Sequence, residues 1–127
     1  MRYHNNTWNR DDVFVFGSNL AGRHGAGAAK FARMNAGAIY GNGVGMQGGS
    51  YAIPTKDTKI KTLTINEIQE YVDQFITFAL TNPHKTFYVT PIGTGLAGYG
   101  HFQIAPMFCG ASENVLLPPQ WREFLEE

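Results

Sequence analysis

The stretch DVFVFGSN (residues 12–19) decides the fold, because its apolar run from Val13 to Phe16 stops at Gly17 and is typical of a buried strand. A glycine-rich segment, residues 17–27, follows this strand. Residues 28–34 then have the small and apolar spacing of a helix. The order of strand, glycine loop and helix is typical of a parallel sheet covered by helices.

The strongest helix of the sequence comes in the second half of the chain. Its apolar stripe consists of Ile68, Val72, Phe75, Ile76 and Ala79. Either Thr64 or Asn66 can cap its first turn, and Asn82-Pro83 ends it.

The remaining elements continue the alternation of strands and helices. We predict strands over residues 38–40, 51–54, 86–90 and 115–117, a short helix over 103–109, and a short helix or ordered tail over 120–127. Pro54 closes its strand or lies on a sheet edge. The sequence therefore predicts an α/β fold, a three-layer α/β/α sandwich with a mixed, mostly parallel sheet, as one domain over residues 1–127.

The charge balance narrows the choice of partners. Ten basic residues match ten acidic ones, and this argues against broad electrostatic binding of nucleic acid or of an anionic membrane. No apolar run approaches the roughly 20 residues of a membrane span, so we expect a cytoplasmic protein. The single Cys109 excludes an internal disulfide and is predicted to lie in the core on an apolar helix face. Four scattered histidines predict no metal site, and nothing in the sequence indicates a cofactor.

Fifteen glycines gather in three clusters, residues 17–27, 41–49 and 93–100. The first and third clusters each follow a strand and precede a helix. Such loops let a ligand approach backbone N–H groups, and the following helix N-terminus favours phosphate. The pair predicts a phosphate-bearing small ligand, although the first loop alone could be no more than a tight turn.

The second cluster contains GVGMQG (residues 43–48), which spells the G-x-G-x-x-G of dinucleotide-binding folds. The segment after it is strand-like rather than helical, so the pattern lacks its required context. We predict a flexible loop or a hairpin bend here.

The ordered pair of loops resembles the macro domains that bind ADP-ribose. The third loop, GTGLAGYG (residues 93–100), is similar to the family pattern S-T-G-I-x-G-Y-P. Residues 12–19 are similar to its D-x-I-V-N-A-A-N, and Gly25 to Ala28 match its small-residue helix entry. The resemblance extends from Asp12 to about Leu117.

A closer likeness is to the macro-domain branch of terminal ADP-ribose protein glycohydrolases. Its G-A-G, T-K and I-G-C-G-L-D segments resemble residues 25–27, 55–56 and 92–97. In that branch the lysine is the nucleophile and the aspartate assists it. Here Lys56 matches the lysine, but Ala97 stands in the aspartate position. The other hydrolytic branch carries an aspartate where this chain has Ala28 and Ala29, so the likeness implies binding with at most weak hydrolysis.

The resemblance implies a set of ligand-binding residues on the two loops. They are Asp12, Ser18, Asn19, Gly25, Ala26, Gly27, Gly93, Thr94, Gly95, Leu96, Ala97, Gly98 and Tyr99. The implied partners are ADP-ribose or a related nucleotide, and an ADP-ribosylated macromolecule. The alternative from another class is a protein-interaction module with an exposed aromatic start, Tyr3 and Trp8.

For several of these residues the sequence allows a structural role as well as a functional one. Asp12 contacts the adenine amino group or is a solvated acid, and Asn19 contacts the distal ribose or occupies a left-handed turn. Tyr99 closes over the ribose or packs against the fold. Lys56 is a nucleophile or a surface charge like Lys59 and Lys61. If Lys56 is catalytic, its acid–base help must come from Asp57, His24, His101 or water.

Overall fold

The computed structural model describes residues 1–126 and contains one six-stranded sheet. Its strands are β1 (Arg2–Tyr3), β2 (Val13–Asn19), β3 (Gly45–Gln47), β4 (Ser50–Lys56), β5 (Phe87–Val89) and β6 (Val115–Leu117). Its helices are α1 (Gly27–Asn35), α2 (Ile65–Leu80), α3 (His101–Ile104) and α4 (Arg122–Leu125), with 3₁₀ helices at Ala105–Phe108 and Pro119–Trp121. The strand order is β1-β6-β5-β2-β4-β3, with only β3 antiparallel to its neighbour. This confirms the predicted α/β class and the mixed, mostly parallel sheet.

Apolar residues on both faces of β2 build two separate cores, because successive side chains of a strand point to opposite faces. Val13 and Val15 belong to the larger core, which α2 covers together with the 3₁₀ helix Ala105–Phe108. Phe14 and Phe16 pack in the smaller core against the alanines of α1. The sheet is therefore the middle layer of an α/β/α sandwich.

Helix α2 begins and ends where the sequence predicts. Thr64, rather than Asn66, is the cap: its hydroxyl accepts the Glu67 N–H (3.2 Å), and the Glu67 carboxylate accepts the Thr64 N–H (3.0 Å). The predicted stripe is buried at Ile68, Val72, Phe75 and Ala79. Within residues 1–126 no helix is both long enough and apolar enough to cross a membrane, and the longest, α2, has sixteen residues.

The edge of the sheet beside β4 differs from the prediction. Residues 38–40 are not a strand, because Gln47 of β3 and its neighbours take the outer edge of β4. The Ile39 N–H instead donates to the Gln47 side-chain oxygen (2.8 Å). Pro54 lies inside β4, beyond the three residues that pair with β3, where its missing N–H leaves no bond broken on that side.

The C-terminal third also contains corrections. The helix predicted over residues 103–109 begins earlier, at His101, and continues as a 3₁₀ helix. Cys109 is exposed rather than in the core, because Met107 and Phe108 occupy the inward positions of that turn. The last predicted segment consists of a 3₁₀ turn and α4, and its residue Glu127 lies outside the described residues.

The aromatic residues of the N-terminal segment are not exposed as predicted. Tyr3 is half-buried, and the Arg122 guanidinium lies 4.3 Å from its ring centre. Trp8 is half-buried as well and meets Phe14 and Phe31 edge to face.

Candidate functional site

A cleft of about 550 Å³ opens where the carboxyl ends of β2, β4 and β5 meet. Parallel strands place their following loops at one edge of a sheet, which is where α/β folds hold ligands. The β2–β4 register sets Asn19 beside Lys56, and the third loop follows β5. Ten of the predicted site residues line this cleft: Ser18, Asn19, Gly25, Ala26, Gly27, Lys56, Gly93, Gly95, Leu96 and Ala97.

The N-terminus of α1 forms one wall of the cleft. Ala26 is its cap residue and provides no side-chain hydrogen bond, and the first turn contains no acidic residue. The first N–H groups of a helix have no partner within the helix and carry partial positive charge. Gly27, Ala28 and Ala29 all line the cleft, so this wall presents backbone donors to a ligand.

The charged side chains of the cleft have one sign. Arg23 comes from the first loop and Lys56 from the end of β4, and among residues 1–126 no carboxylate lines the cleft. Asn19 shapes this corner, since its amide oxygen accepts the Arg23 N–H (2.9 Å) and its NH₂ donates to the Arg23 carbonyl (3.0 Å). Asn19 closes the first loop in this way without a left-handed backbone. The cleft is suited to an anion.

Two predicted site residues of the third loop use their hydroxyl groups to stabilise the loop and do not line the cleft. The Thr94 hydroxyl donates to the Pro91 carbonyl (2.6 Å), and the Tyr99 hydroxyl donates to the Leu63 carbonyl (2.6 Å). Tyr99 therefore packs, as its simpler interpretation predicted, and neither Thr94, Tyr99 nor Gly98 lines the cleft. Gly95 and Leu96 line the cleft instead.

The second glycine cluster supports the first loop. Its residues 45–50 form the β3–β4 hairpin, as one of the two predicted alternatives had it. The Ser18 hydroxyl donates to the Gly43 carbonyl, and the Gly41 N–H donates to the Gly22 carbonyl (2.8 Å). A Cβ on Gly43 would overlap the Asn19 carbonyl oxygen, so only glycine permits this approach.

None of the predicted acid–base side chains lines the cleft, and each has a partner elsewhere. His24 is fully buried and donates its Nε2–H to the Asn42 carbonyl (2.9 Å). His101 accepts the Trp121 indole N–H (3.0 Å) and stacks on Phe124, away from the cleft. The Asp57 carboxylate accepts the N–H groups of Lys59 and Lys61. The hydrogen bond from Lys61, the largest cause, lowers the pKa of Asp57.

Asp12 lies at the opposite end of β2 from the cleft, contrary to its predicted role. Burial, and then the neighbouring Asp11 carboxylate, raises the pKa of Asp12. Its carbonyl accepts the Trp8 indole N–H (3.0 Å), and its side chain lines no part of the cleft. The seven residues of β2 separate Asp12 from Lys56 by roughly 20 Å.

A second groove, of about 470 Å³, adjoins the cleft and is mainly aromatic. Its walls include Trp8, Phe14, Phe31 and Tyr88, and Asn6 and Thr7 supply polar groups at its rim. Gly27, Ala28 and Thr90 line both spaces, so the groove and the cleft meet at the N-terminus of α1.

Sequence reasoning missed Arg23, Tyr40, Ile60 and Thr90 in the cleft, and it did not predict the aromatic groove. Arg23 lies between Asn19 and Gly25, two predicted residues of the first loop, and only this position in the sequence indicated a place in the site. The chain matches no protein-family model, and comparisons with curated proteins and with solved structures give no significant match. Its function is therefore inferred from the chemistry of the cleft.

Proposed function

We propose that the cleft and the adjoining groove bind ADP-ribose or a related adenine-nucleotide diphosphate. The observation that carries this proposal is the uncapped N-terminus of α1, which opens on a cleft with Arg23 and Lys56 and no carboxylate among residues 1–126. Backbone N–H groups at a helix N-terminus bind phosphate, and nearby cations add charge-assisted contacts. The diphosphate lies at this wall.

The aromatic groove provides for the base. Purine rings bind by stacking on aromatic side chains, and Trp8, Phe31 and Tyr88 surround a space that begins where the phosphates lie. In this proposal Asn6, and not Asp12, makes the polar contact with the adenine, because an amide carries both donors and an acceptor. Each space has the volume typical of a small-molecule pocket.

The test is calorimetry with ADP-ribose, AMP and NAD. We expect ADP-ribose to bind about tenfold or more tightly than AMP, since one further phosphate contact to backbone donors contributes about 1.5 kcal/mol or more. Arg23→Ala should weaken ADP-ribose binding, while Arg2→Ala, an exposed arginine on β1 outside the cleft, serves as its charge-matched control. Equal affinity for AMP and ADP-ribose would contradict the placement of the diphosphate.

Weak hydrolysis of ADP-ribosylated protein is the second candidate function, and the position of Lys56 in the cleft favours it. A neutral lysine amine can attack the anomeric carbon of the ribose as the bond from that carbon to the glutamate carboxylate breaks, and water then hydrolyses the lysine–ribose adduct and frees the amine. Both steps need a group that accepts and returns the proton. With no carboxylate at the cleft among residues 1–126, turnover should be about 10²–10⁴-fold below that of an enzyme with a positioned acid.

Release of ADP-ribose from a mono-ADP-ribosylated glutamate protein measures this activity. Lys56→Ala should abolish the release, and Lys59→Ala, a lysine outside the cleft, is its control. Undiminished release by Lys56→Ala would exclude the lysine mechanism. If the wild-type protein binds ADP-ribose but releases none, the binding proposal stands and the hydrolytic one fails.

A further inference from the structure

Ile60 has an unusual backbone conformation for a β-branched residue. Its φ is +65°, in the left-handed region that such residues rarely occupy. The Asp57 carboxylate holds the loop in this shape by accepting the N–H groups of Lys59 (2.8 Å) and Lys61 (2.9 Å). The Ile60 N–H in turn donates to the Asp57 carbonyl (3.1 Å). Four residues of chain are thus folded around one strained position.

This strained position lies at the cleft. Ile60 and Leu96 both line it, and neither belongs to a hydrophobic core. Leu96 is 81% exposed, so it contributes little to the stability of the fold. The Thr62 hydroxyl donates to the Ala97 carbonyl (3.2 Å) and ties the Ile60 loop to the third loop. Two apolar residues from tied loops, Ile60 at 36% exposure and Leu96 at 81%, therefore line the same cleft as Lys56 without belonging to either core.

We propose that Ile60 and Leu96 form an apolar lip over the part of the ligand beyond the diphosphate, and that Ile60 is a specificity-determining residue. This inference rests on the proposed function, in which the base and the diphosphate occupy the groove and the N-terminus of α1. The remaining end of the cleft then receives the next group of the ligand. An uncharged sugar gains contact with the lip, whereas a third phosphate would lose water against apolar surface. The lip therefore selects a sugar-extended diphosphate over ADP and ATP.

Ile60→Gly separates the effect of the strained backbone on stability from the effect of the side chain on binding. Glycine adopts positive φ without strain, which offsets the lost packing of a side chain that is 36% exposed, so the variant should melt within about 5 °C of the wild type. The loss of the side chain should weaken ADP-ribose binding about tenfold and leave ADP binding unchanged. Leu96→Asn should show the same selective loss with an unchanged melting temperature, because Leu96 is so exposed.

Lys59→Gly is the matched control, since it adds the same flexibility to the same loop and its side chain lies outside the cleft. It should retain the wild-type ratio of ADP-ribose to ADP affinity. A wild-type ratio in both Ile60→Gly and Leu96→Asn overturns the lip while ADP-ribose binding by the wild type still supports the proposed function. Wild-type protein that binds neither nucleotide overturns the proposed function and the lip together.

Discussion

Gly95→Val is the substitution that most directly tests whether the third loop binds a ligand. Gly95 lines the cleft, its φ is not positive, and a Cβ built on it meets nothing within 4 Å. The fold should therefore accept the valine, with a change of no more than about 1 kcal/mol in the free energy of unfolding. The new methyl groups would hold a phosphate away from the backbone N–H groups of the loop. Two lost charge-assisted hydrogen bonds cost about 3 kcal/mol or more, which is at least about 100-fold in affinity.

Gly110→Val is the matched control, because Gly110 is equally open to a Cβ but lies outside the cleft. Calorimetry with ADP-ribose and thermal melting should be run on both variants and on the wild type. We expect all three proteins to melt within about 5 °C of one another and only Gly95→Val to lose binding. If Gly95→Val melts normally and binds as the wild type does, the ligand does not approach the third loop and the reasoning is refuted.

Three further changes test other parts of the structure. Gly43→Ala should reduce the free energy of unfolding by about 1–3 kcal/mol in denaturant titration, because the added Cβ overlaps the Asn19 carbonyl; an unchanged value would mean that the loops separate freely. Burial lowers the pKa of His4 from 6.5, so its contribution to stability is complete above pH 6.5 and is lost as the pH falls through the folded-state pKa. His4→Gln should flatten this decline in melting curves between pH 7.5 and 5, and an identical decline would assign it to other groups. Ala97→Asp, which adds a carboxylate at the cleft, should raise any Lys56-dependent release of ADP-ribose, and no rise would argue that position 97 lies out of reach of the ribose.

The parts of the fold that local sequence could predict are those with a local cause. The spacing of Ile68, Val72 and Phe75 on α2 follows the helical period, and Thr64 supplies the cap. The run from Val13 to Phe16 is apolar on both faces because helices cover both sides of the sheet. The two strand–glycine–helix loops then follow from the order of elements, and so does the cleft between them.

The parts that could not be predicted depend on partners far along the chain. Strand β1 has two residues and no readable period, and it exists because it pairs with residues 116–117. Residues 38–40 have strand-like composition, but the glycine-rich segment that contains β3 pairs with the outer edge of β4 instead. The aromatic groove joins Trp8, Phe31 and Tyr88 from three distant segments, so no motif marks it. Asp12 precedes β2 and so lies at the amino end of that strand, away from the cleft; its predicted contact with the base came from the resemblance and not from the position of the strand.

The central place of β2 has a consequence for how the chain reaches its native state. The neighbours of this strand, β4 and β5, both come much later in the chain. Val15 pairs with Tyr51 on one side and with Val89 on the other. Pairing over such long stretches is entropically slow, and the run from Val13 to Phe16 remains an unpaired, aggregation-prone segment in the meantime. We expect folding in the millisecond-to-second range, and losses to aggregation during refolding that grow with protein concentration.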